Sequence, residues 1–185
     1  MLKSIDNKKH ARCDVKLCEN LEGSLADVRI SEDLDNGSIG VLGDYTNTAN
    51  EQEVRAFNKP DDTSKKDELY LLDAPELIYD ESRKVINQFK NFYNQSGEIV
   101  RAYPLSKIKK FSLSEEGIDA SGVSKLAVGQ YVLPDSASHK LKASTASTNA
   151  IGKIVRIDTE GIATYYGADG KFLGNTYPMY VIQVL

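Results

Sequence analysis

Few side chains in this sequence could do covalent or acid–base chemistry: two histidines, His10 and His139, and two cysteines, Cys13 and Cys18. A Ser-His-Asp or Cys-His arrangement would have to use one of the two histidines. His139 lies beside serines in the polar stretch "PDSASHK", but adjacency in a turn does not make a triad, and the G-x-S-x-G motif does not occur. We therefore predict that His139 is a solvated turn residue and assign no catalytic residue.

The sequence also has no motif typical of a metal or cofactor site. Cys13 and Cys18 have C-x4-C spacing with His10 three residues before them, which does not match the tighter pairs of structural zinc sites. The acidic stretch "EDLDNG" does not have the spacing of an EF-hand loop, and "GADGKFLG" does not have that of a phosphate-binding loop. Glu115 and Glu116 are the most visible carboxylate pair, but a loop explains them. We expect reduced thiols, no metal and no cofactor.

Composition excludes some classes of function. The chain has 185 residues, with 23 Lys and Arg against 27 Asp and Glu, and its net charge is −4. A whole-molecule charge of this sign is not a nucleic-acid-binding signature. The apolar runs are too short to cross a bilayer, and the charged N-terminus lacks the apolar stretch of a signal peptide. We expect a protein that is synthesised in the cytoplasm and contacts neither nucleic acid nor membrane.

The N-terminal segment, residues 1–22, is predicted to be an extended basic arm. Its basic side chains are candidates for contacts with an acidic surface of a partner, and they are Lys3, Lys8, Lys9, Arg12 and Lys16. The alternative is a solvated tail without a binding role.

Beyond residue 22 the pattern is mainly β. Short apolar runs separated by turn residues are typical of strands, and we expect hairpins at Asn36-Gly37 and at Asp169-Gly170. One segment differs, because its apolar residues fall at i, i+1, i+4, i+7 and i+8. This spacing predicts one amphipathic helix over about residues 81–94, packed on a sheet.

The predicted fold class is therefore α+β and mainly β. The expected organisation is a basic arm over residues 1–22, a β region with one helix over residues 23–112, and a β-barrel-like module over residues 113–185. Residues 23–185 are alternatively one composite domain. Strands of five to eight residues at this density favour a small barrel or sandwich over βαβ units.

The strand motifs "VGQYVLP", "KLKAS" and "AIGKIVRI" resemble those of the head decoration (auxiliary capsid) proteins of tailed bacteriophages. The resemblance covers residues 98–185, and about a hundred residues precede the module. It implies a β-tulip or barrel fold and a non-enzymatic role on the outer surface of a phage capsid. The implied partners are the major capsid protein and copies of the chain itself, for instance in a trimer. The implied location is the virion.

Two other functions compete with this interpretation. A head-fibre or tail β-module that binds a host surface glycan is favoured by exposed aromatic residues such as Tyr165 and Tyr166. A glycoside hydrolase-like enzyme ranks last, because no residue in the sequence stands out as its acid or nucleophile.

Overall fold

The computed structural model of the chain describes residues 9–15, 25–46, 53–76, 92–166 and 172–185. For residues 161–166 and 172–176 the description covers the backbone only. The strands are β1 Cys13–Val15, β2 Ala26–Arg29, β3 Ile39–Tyr45, β4 Arg55–Asn58, β5 Leu69–Leu72, β6 Ile99–Pro104, β7 Lys110–Ser114, β8 Ile118–Asp119, β9 Tyr131–Pro134, β10 Leu141–Ser144, β11 Gly152–Tyr166 and β12 Phe172–Val184. Helical structure within the described ranges consists of 3-10 turns at Leu105–Lys107 and Glu115–Gly117. The prediction of a mainly β chain is confirmed.

Strands β2 to β6 close into a barrel in the order β2-β4-β3-β5-β6. The β2–β4 pair is parallel, and the other four pairs are antiparallel. The buried residues of the barrel cluster are Val28, Ile30, Leu34, Phe57, Leu72, Val100 and Ala102. The prediction of a barrel is confirmed, but its placement in residues 113–185 is wrong. Closure depends on pairing β2 with β6, which are far apart in sequence, and local strand patterns do not reveal such a pairing.

The remaining strands form a seven-stranded sheet in the order β1-β7-β12-β11-β9-β10-β8. Its central pair is the antiparallel hairpin of β11 and β12, and β8 joins β10 in parallel at one edge. One cluster of buried residues combines this sheet with Ile39, Leu69 and Leu71 of the barrel. The barrel and the sheet therefore share a hydrophobic core, and we call this shared contact the barrel–sheet junction.

Strand β5, with the sequence "LYLL", shows how the junction is built. Successive side chains of a strand point to opposite faces. Leu69 and Leu71 belong to the core shared with the sheet, whereas Tyr70 and Leu72 pack in the barrel cluster. Leu69, Leu71 and Leu72 are all fully buried. A continuous apolar run of this kind is what a strand buried on both faces requires.

The described part of the N-terminal segment is not an arm. Cys13 pairs with Leu113 of β7, so β1 is an edge strand of the seven-stranded sheet. Ala11, Cys13 and Val15 alternate with more exposed residues, and each is at most 6% exposed. Apolar side chains at every second position give β1 one face that can be buried against the sheet. For these residues the prediction of an extended arm, which was based on charge, is therefore wrong. Residues 1–8 and 16–24 lie outside the described residues.

Most of the predicted helix, residues 81–91, also lies outside the described residues. The last part of its predicted range is not helical: Phe92 and Tyr93 are buried, and Asn94 forms an antiparallel bridge with Leu34. The backbone N–H of each bridge residue donates to the carbonyl of the other, at 2.8 and 2.9 Å. The predicted extension of the helix to residue 94 is therefore wrong.

The two predicted hairpins have different outcomes. Gly37 has a positive φ of 87°, as a turn glycine should, but β2 pairs with β4 and β6 and not with β3. The chain turns there without forming a hairpin. The second prediction is confirmed at the level of strand pairing, because β11 and β12 run antiparallel from Gly152 opposite Val184 to Tyr166 opposite Phe172.

The β11–β12 hairpin is much longer than the sheet around it. β9 pairs with β11 at Gly152 and Lys153, and β7 pairs with β12 from Met179 to Gln183. Further out, no strand among the described residues pairs with either edge. We call this part, residues 159–166 paired with 172–178, the projecting ribbon. At about 3.3 Å per residue it reaches roughly 25 Å beyond the sheet.

Candidate interaction surface

The structure describes two of the five predicted partner-binding residues. Lys9 is exposed and Arg12 is partly buried, whereas Lys3, Lys8 and Lys16 lie outside the described residues. The sequence also limits the charge argument. Residues 1–22 hold five basic and four acidic side chains, so their net charge is +1, and the basic excess is concentrated in residues 1–18.

Arg12 is engaged within the chain. Its backbone N–H donates to Ser114 Oγ at 3.0 Å, which fixes the residue beside β7. Its Nε lies 3.6 Å from a carboxylate oxygen of Glu76, and its guanidinium lies over the Tyr177 ring, 5.6 Å from the centroid. Arg12 therefore connects β1 to the segment after β5 and to the base of the projecting ribbon. Its contact with a partner stays a prediction.

Three carboxylates meet on this side of the barrel–sheet junction: Asp14 of β1, and Asp73 and Glu76 after β5. Burial, together with the charges of Glu76 and Asp14, raises the pKa of Asp73 to about 7. Burial also raises the pKa of Glu76, and the Arg12 guanidinium partly offsets that rise. Asp73 can therefore exchange a proton near neutral pH. Sequence patterns do not indicate this group, because Asp14 is far along the chain from Asp73 and Glu76.

Two buried asparagines hold the segment that carries Asp73 and Glu76. Asn36 Nδ2 donates to the carbonyl of Ala74 at 2.8 Å, and the N–H of Ala74 donates to Asn36 Oδ1 at 3.0 Å. Asn94 Nδ2 lies 3.1 Å from both Asn36 Oδ1 and the Leu34 carbonyl. Both side chains are essentially inaccessible to solvent. Buried amides are stable only when they are hydrogen-bonded, so this network is a scaffold for the site.

His10 also belongs to this side of the molecule. Its Nδ1 lies 2.6 Å from Asp35 Oδ1, and its ring stacks on Tyr93 with centroids 4.7 Å apart. The other Asp35 oxygen accepts the N–H of Ala11 at 2.8 Å. A histidine–carboxylate pair can serve acid–base catalysis, but both oxygens of this carboxylate bind the chain that leads into β1. The pair therefore attaches β1 to the barrel.

The prediction that His139 is solvated is wrong. The residue is 5% exposed, and its ring stacks on Phe57 of the barrel with centroids 5.2 Å apart. Its Nδ1 lies 2.8 Å from the Ile39 carbonyl, its own carbonyl accepts the Ile39 N–H at 2.8 Å, and its Nε2 lies 3.4 Å from Glu32. Burial lowers the pKa of His139. The residue joins the β9–β10 turn to the barrel.

The serines near His139 do not form a triad with it. Ser138 Oγ donates to Asp135 Oδ2 at 2.7 Å, and the Ser136 N–H donates to Asp62 Oδ1 at 2.7 Å. The first hydrogen bond shapes the β9–β10 turn, and the second attaches this turn to the loop between β4 and β5 of the barrel. Polar residues of this turn therefore form hydrogen bonds within the chain. From the sequence alone, they could equally have been exposed to solvent.

The described ranges contain neither a metal-binding cluster nor a membrane-spanning helix. Within them, no three His, Cys, Asp or Glu side chains are grouped so as to hold a metal ion. Among the helices of that part of the chain, none is long and apolar enough to cross a membrane.

Known proteins offer no match at the level of family, sequence or structure. No protein-family model, curated protein or solved structure matches the chain. The resemblance to head decoration proteins therefore depends on the quoted strand motifs alone.

Proposed function

We propose that this chain is a non-enzymatic virion protein that binds and reinforces the outer surface of a tailed-phage capsid. The observation that carries the proposal is the projecting ribbon, and the strand motifs of residues 98–185 add to it. The proposed partners are the major capsid protein and neighbouring copies of the chain. The protein would be synthesised in the host cytoplasm and then bound to the capsid.

The ribbon supports an assembly role for a physical reason. A two-stranded hairpin alone is marginally stable in water, and its outer edges present unpaired backbone N–H and C=O groups. Pro178, which lacks an N–H, lies where β12 leaves β7, and a bulge between Ile154 and Arg156 lies where β11 leaves β9. Both features disfavour further pairing of the hairpin with β7 and β9. A partner strand or surface can then contact the ribbon, as in strand addition.

The basic residues of the N-terminal segment are proposed as a second contact with the partner. Lys9 is exposed, and together with Lys3, Lys8, Arg12 and Lys16 it would face an acidic patch of the capsid or of a neighbouring copy. Contacts between exposed charges are weakened by salt and affect association more than folding. Repetition of such contacts over a lattice would raise the overall affinity through avidity.

Removal of the ribbon tests the proposal. Residues 161–176 are replaced by Asn-Gly, which joins Glu160 to Tyr177, two residues that are paired across the hairpin. We expect the free energy of unfolding to change by less than about 1 kcal/mol, because the removed part has no third strand. We expect co-sedimentation with capsids to be lost.

The control replaces the exposed loop 145–149 by a Gly/Ser loop of equal length and should sediment like the parent protein. Full capsid binding by the ribbon-deleted variant would refute the assembly role of the ribbon. Changing Lys3, Lys8 and Lys9 to Gln, which leaves β1 intact, should weaken binding most at low salt.

A second function, binding of a host surface glycan by a head-fibre or tail module, is favoured by one observation. The backbone register places Tyr165, Tyr166 and Phe172 at the far end of the ribbon. Aromatic residues provide apolar surface with a polar edge, which suits sugar faces. If this function holds, changing Tyr165 and Tyr166 to Ala should abolish binding to host envelopes and leave capsid co-sedimentation unchanged.

A further inference from the structure

The two edges of the projecting ribbon are not equivalent. Successive residues of β12 direct their backbone N–H and C=O groups alternately towards β11 and towards the β7 side. The N–H of Val184 donates to the carbonyl of Lys109, which precedes β7, and Pro178 lies an even number of residues before Val184. Pro178 therefore also faces the β7 side, where it offers no N–H. The β12 edge lacks a donor at its first position beyond β7.

The β11 edge keeps its donors. In an antiparallel pair, two opposite residues either exchange hydrogen bonds or both direct their backbone groups away from each other. Because Pro178 faces away from β11, its partner Thr159 faces away from β12, and Gly161 and Ala163 follow at every second position. Each of these three residues has an N–H and a C=O on the outer edge, and no strand among the described residues pairs with them.

Exposed apolar side chains lie at the base of the β11 edge. The N–H of Gly129 donates to the Ile154 carbonyl at 2.8 Å, so Val128 lies beside the residues that follow Ile154 in β11. Val128 is 57% exposed and Ile157 is 40% exposed. A strand that continued the line of β9 along the ribbon would end or begin next to these two side chains and remove apolar surface from water.

The sequence of β11 fits pairing with a second copy of itself. Two copies that pair antiparallel through the same edge have a two-fold axis, which places one residue opposite itself. An axis at residue 158, 159 or 160 would place two carboxylates opposite each other, which is destabilising. An axis at Gly161 places Glu160 opposite Ile162 of the second copy and keeps every carboxylate opposite an uncharged residue. It also pairs Thr159 with Ala163, so all three outward-facing residues are used.

We propose that the projecting ribbon pairs with the ribbon of a second copy through the β11 edge, antiparallel and centred on Gly161. Thr159, Gly161 and Ala163 of each copy would donate to and accept from the other copy, and the two ribbons would form one four-stranded sheet. The inference rests on the assembly role proposed for the ribbon and names the partner at this edge. The β12 edge and the faces of the ribbon stay accessible to a capsid.

Sedimentation velocity of the full chain without capsids tests the pairing. We expect the mass to rise with concentration from one chain to two. Gly161→Pro removes the outward N–H at the axis and should raise the dissociation constant of the dimer at least about tenfold. Thr176→Pro is the matched control, because Thr176 lies opposite Gly161 and faces outwards at the β12 edge. It should leave the dissociation constant unchanged.

Cysteine cross-linking gives a second measurement that does not depend on the stability of the proline variants. With Cys13 and Cys18 changed to Ala, Gly161→Cys should form a disulfide between copies on oxidation, because opposite Cα atoms would be about 5.5 Å apart. Thr176→Cys should not. A single-chain mass at every concentration, equal effects of the two prolines, or equal cross-linking of the two cysteines would overturn the proposal.

These measurements separate the pairing from the proposed capsid function, because capsids are absent from them. A monomeric chain that co-sediments with capsids would refute the pairing alone, and loss of that co-sedimentation on Gly161→Pro would then assign the β11 edge to a capsid strand. A dimer that does not co-sediment with capsids would support the pairing and refute the capsid function.

Discussion

The barrel and the seven-stranded sheet differ in how their strand edges are paired. In the barrel every strand has a neighbour on both sides, so its backbone groups are satisfied internally. The sheet is open: its outer strands, β1 and β8, have only three and two residues, and its central hairpin extends past both neighbours. Short edge strands limit uncontrolled pairing. Within the described residues, the barrel is therefore closed, whereas the sheet has open strand edges along the projecting ribbon.

The largest expected effect tests whether the two regions unfold as one. Leu71 is fully buried in the core that both regions share, and Leu71→Ala should cost about 3–5 kcal/mol. Hydrogen exchange should show equal losses of protection for buried amides of β2 and of β9. Leu72→Ala, which removes a side chain from the barrel cluster, is the matched comparison and should behave in the same way. Unequal losses would mean that barrel and sheet unfold separately.

The next effect tests the close approach of the two regions at Gly37. A Cβ at this position would overlap the Leu113 side chain of β7, and the positive φ disfavours any other residue. Gly37→Ala should cost about 2–4 kcal/mol, measured by urea unfolding.

Gly97 is the control for that measurement, because it has a φ of 86° but a Cβ added there would meet no atom within 4 Å. Gly97→Ala should cost only the backbone strain, about 1 kcal/mol. Equal costs at the two glycines would show that the Leu113 side chain moves aside and that the junction is loosely packed.

Asp73 and His139 are two ionisable residues between the barrel and the sheet. Their contributions to the free energy of unfolding should depend on pH in opposite directions. The pKa of Asp73 is raised to about 7, so its stabilising effect is complete below about pH 3.8 and is lost as pH rises through 7. Asp73→Asn should therefore increase stability at pH 8 by roughly 2 kcal/mol and have little effect at pH 4. Urea unfolding at both pH values measures this. Asp27→Asn, at an exposed position of β2, is the control, and an equal effect of Asp73→Asn at both pH values would contradict the prediction.

His139 should show the opposite trend and the smallest effect. Its pKa is lowered by burial, so its contribution is present above about pH 6.5 and is lost as pH falls through the folded-state pKa. His139→Ala should cost about 1–2 kcal/mol at pH 8, through loss of the hydrogen bond to Ile39, and less at pH 5. Lys140→Gln is the exposed control. A cost at pH 5 that equals or exceeds the cost at pH 8 would contradict this account.

Local patterns located most of the strands but not their partners. The strand motifs "VGQYVLP" and "KLKAS" contain β9 and β10, because alternation of apolar and polar residues is a property of each segment. Barrel closure and the buried state of β1 depend on contacts between distant segments, which no segment reveals alone. His139 is an example: its polar neighbours predicted solvation, but its hydrogen-bond partner Ile39 is 100 residues away.

The same limit applies to the candidate sites. Asp14 comes close to Asp73 and Glu76 only when β1 of the sheet lies beside the segment after β5 of the barrel. In the sequence all three look like ordinary surface charge. The projecting ribbon was predicted as a hairpin at Asp169-Gly170, but its length was not, because strands of five to eight residues were expected and β11 and β12 have 15 and 13.

The position of β1 has a consequence for the order of events during synthesis. β1 pairs with β7 across the whole barrel sequence, and the hydrogen bond from the Arg12 N–H to Ser114 Oγ joins residues 102 positions apart. β7 in turn needs β12, residues 172–184, as its other neighbour. On the ribosome the barrel strands emerge long before β12, so the barrel can form while β1 waits without a partner. Completion of the sheet then closes a long loop around a folded insert, and this late step should set the folding rate.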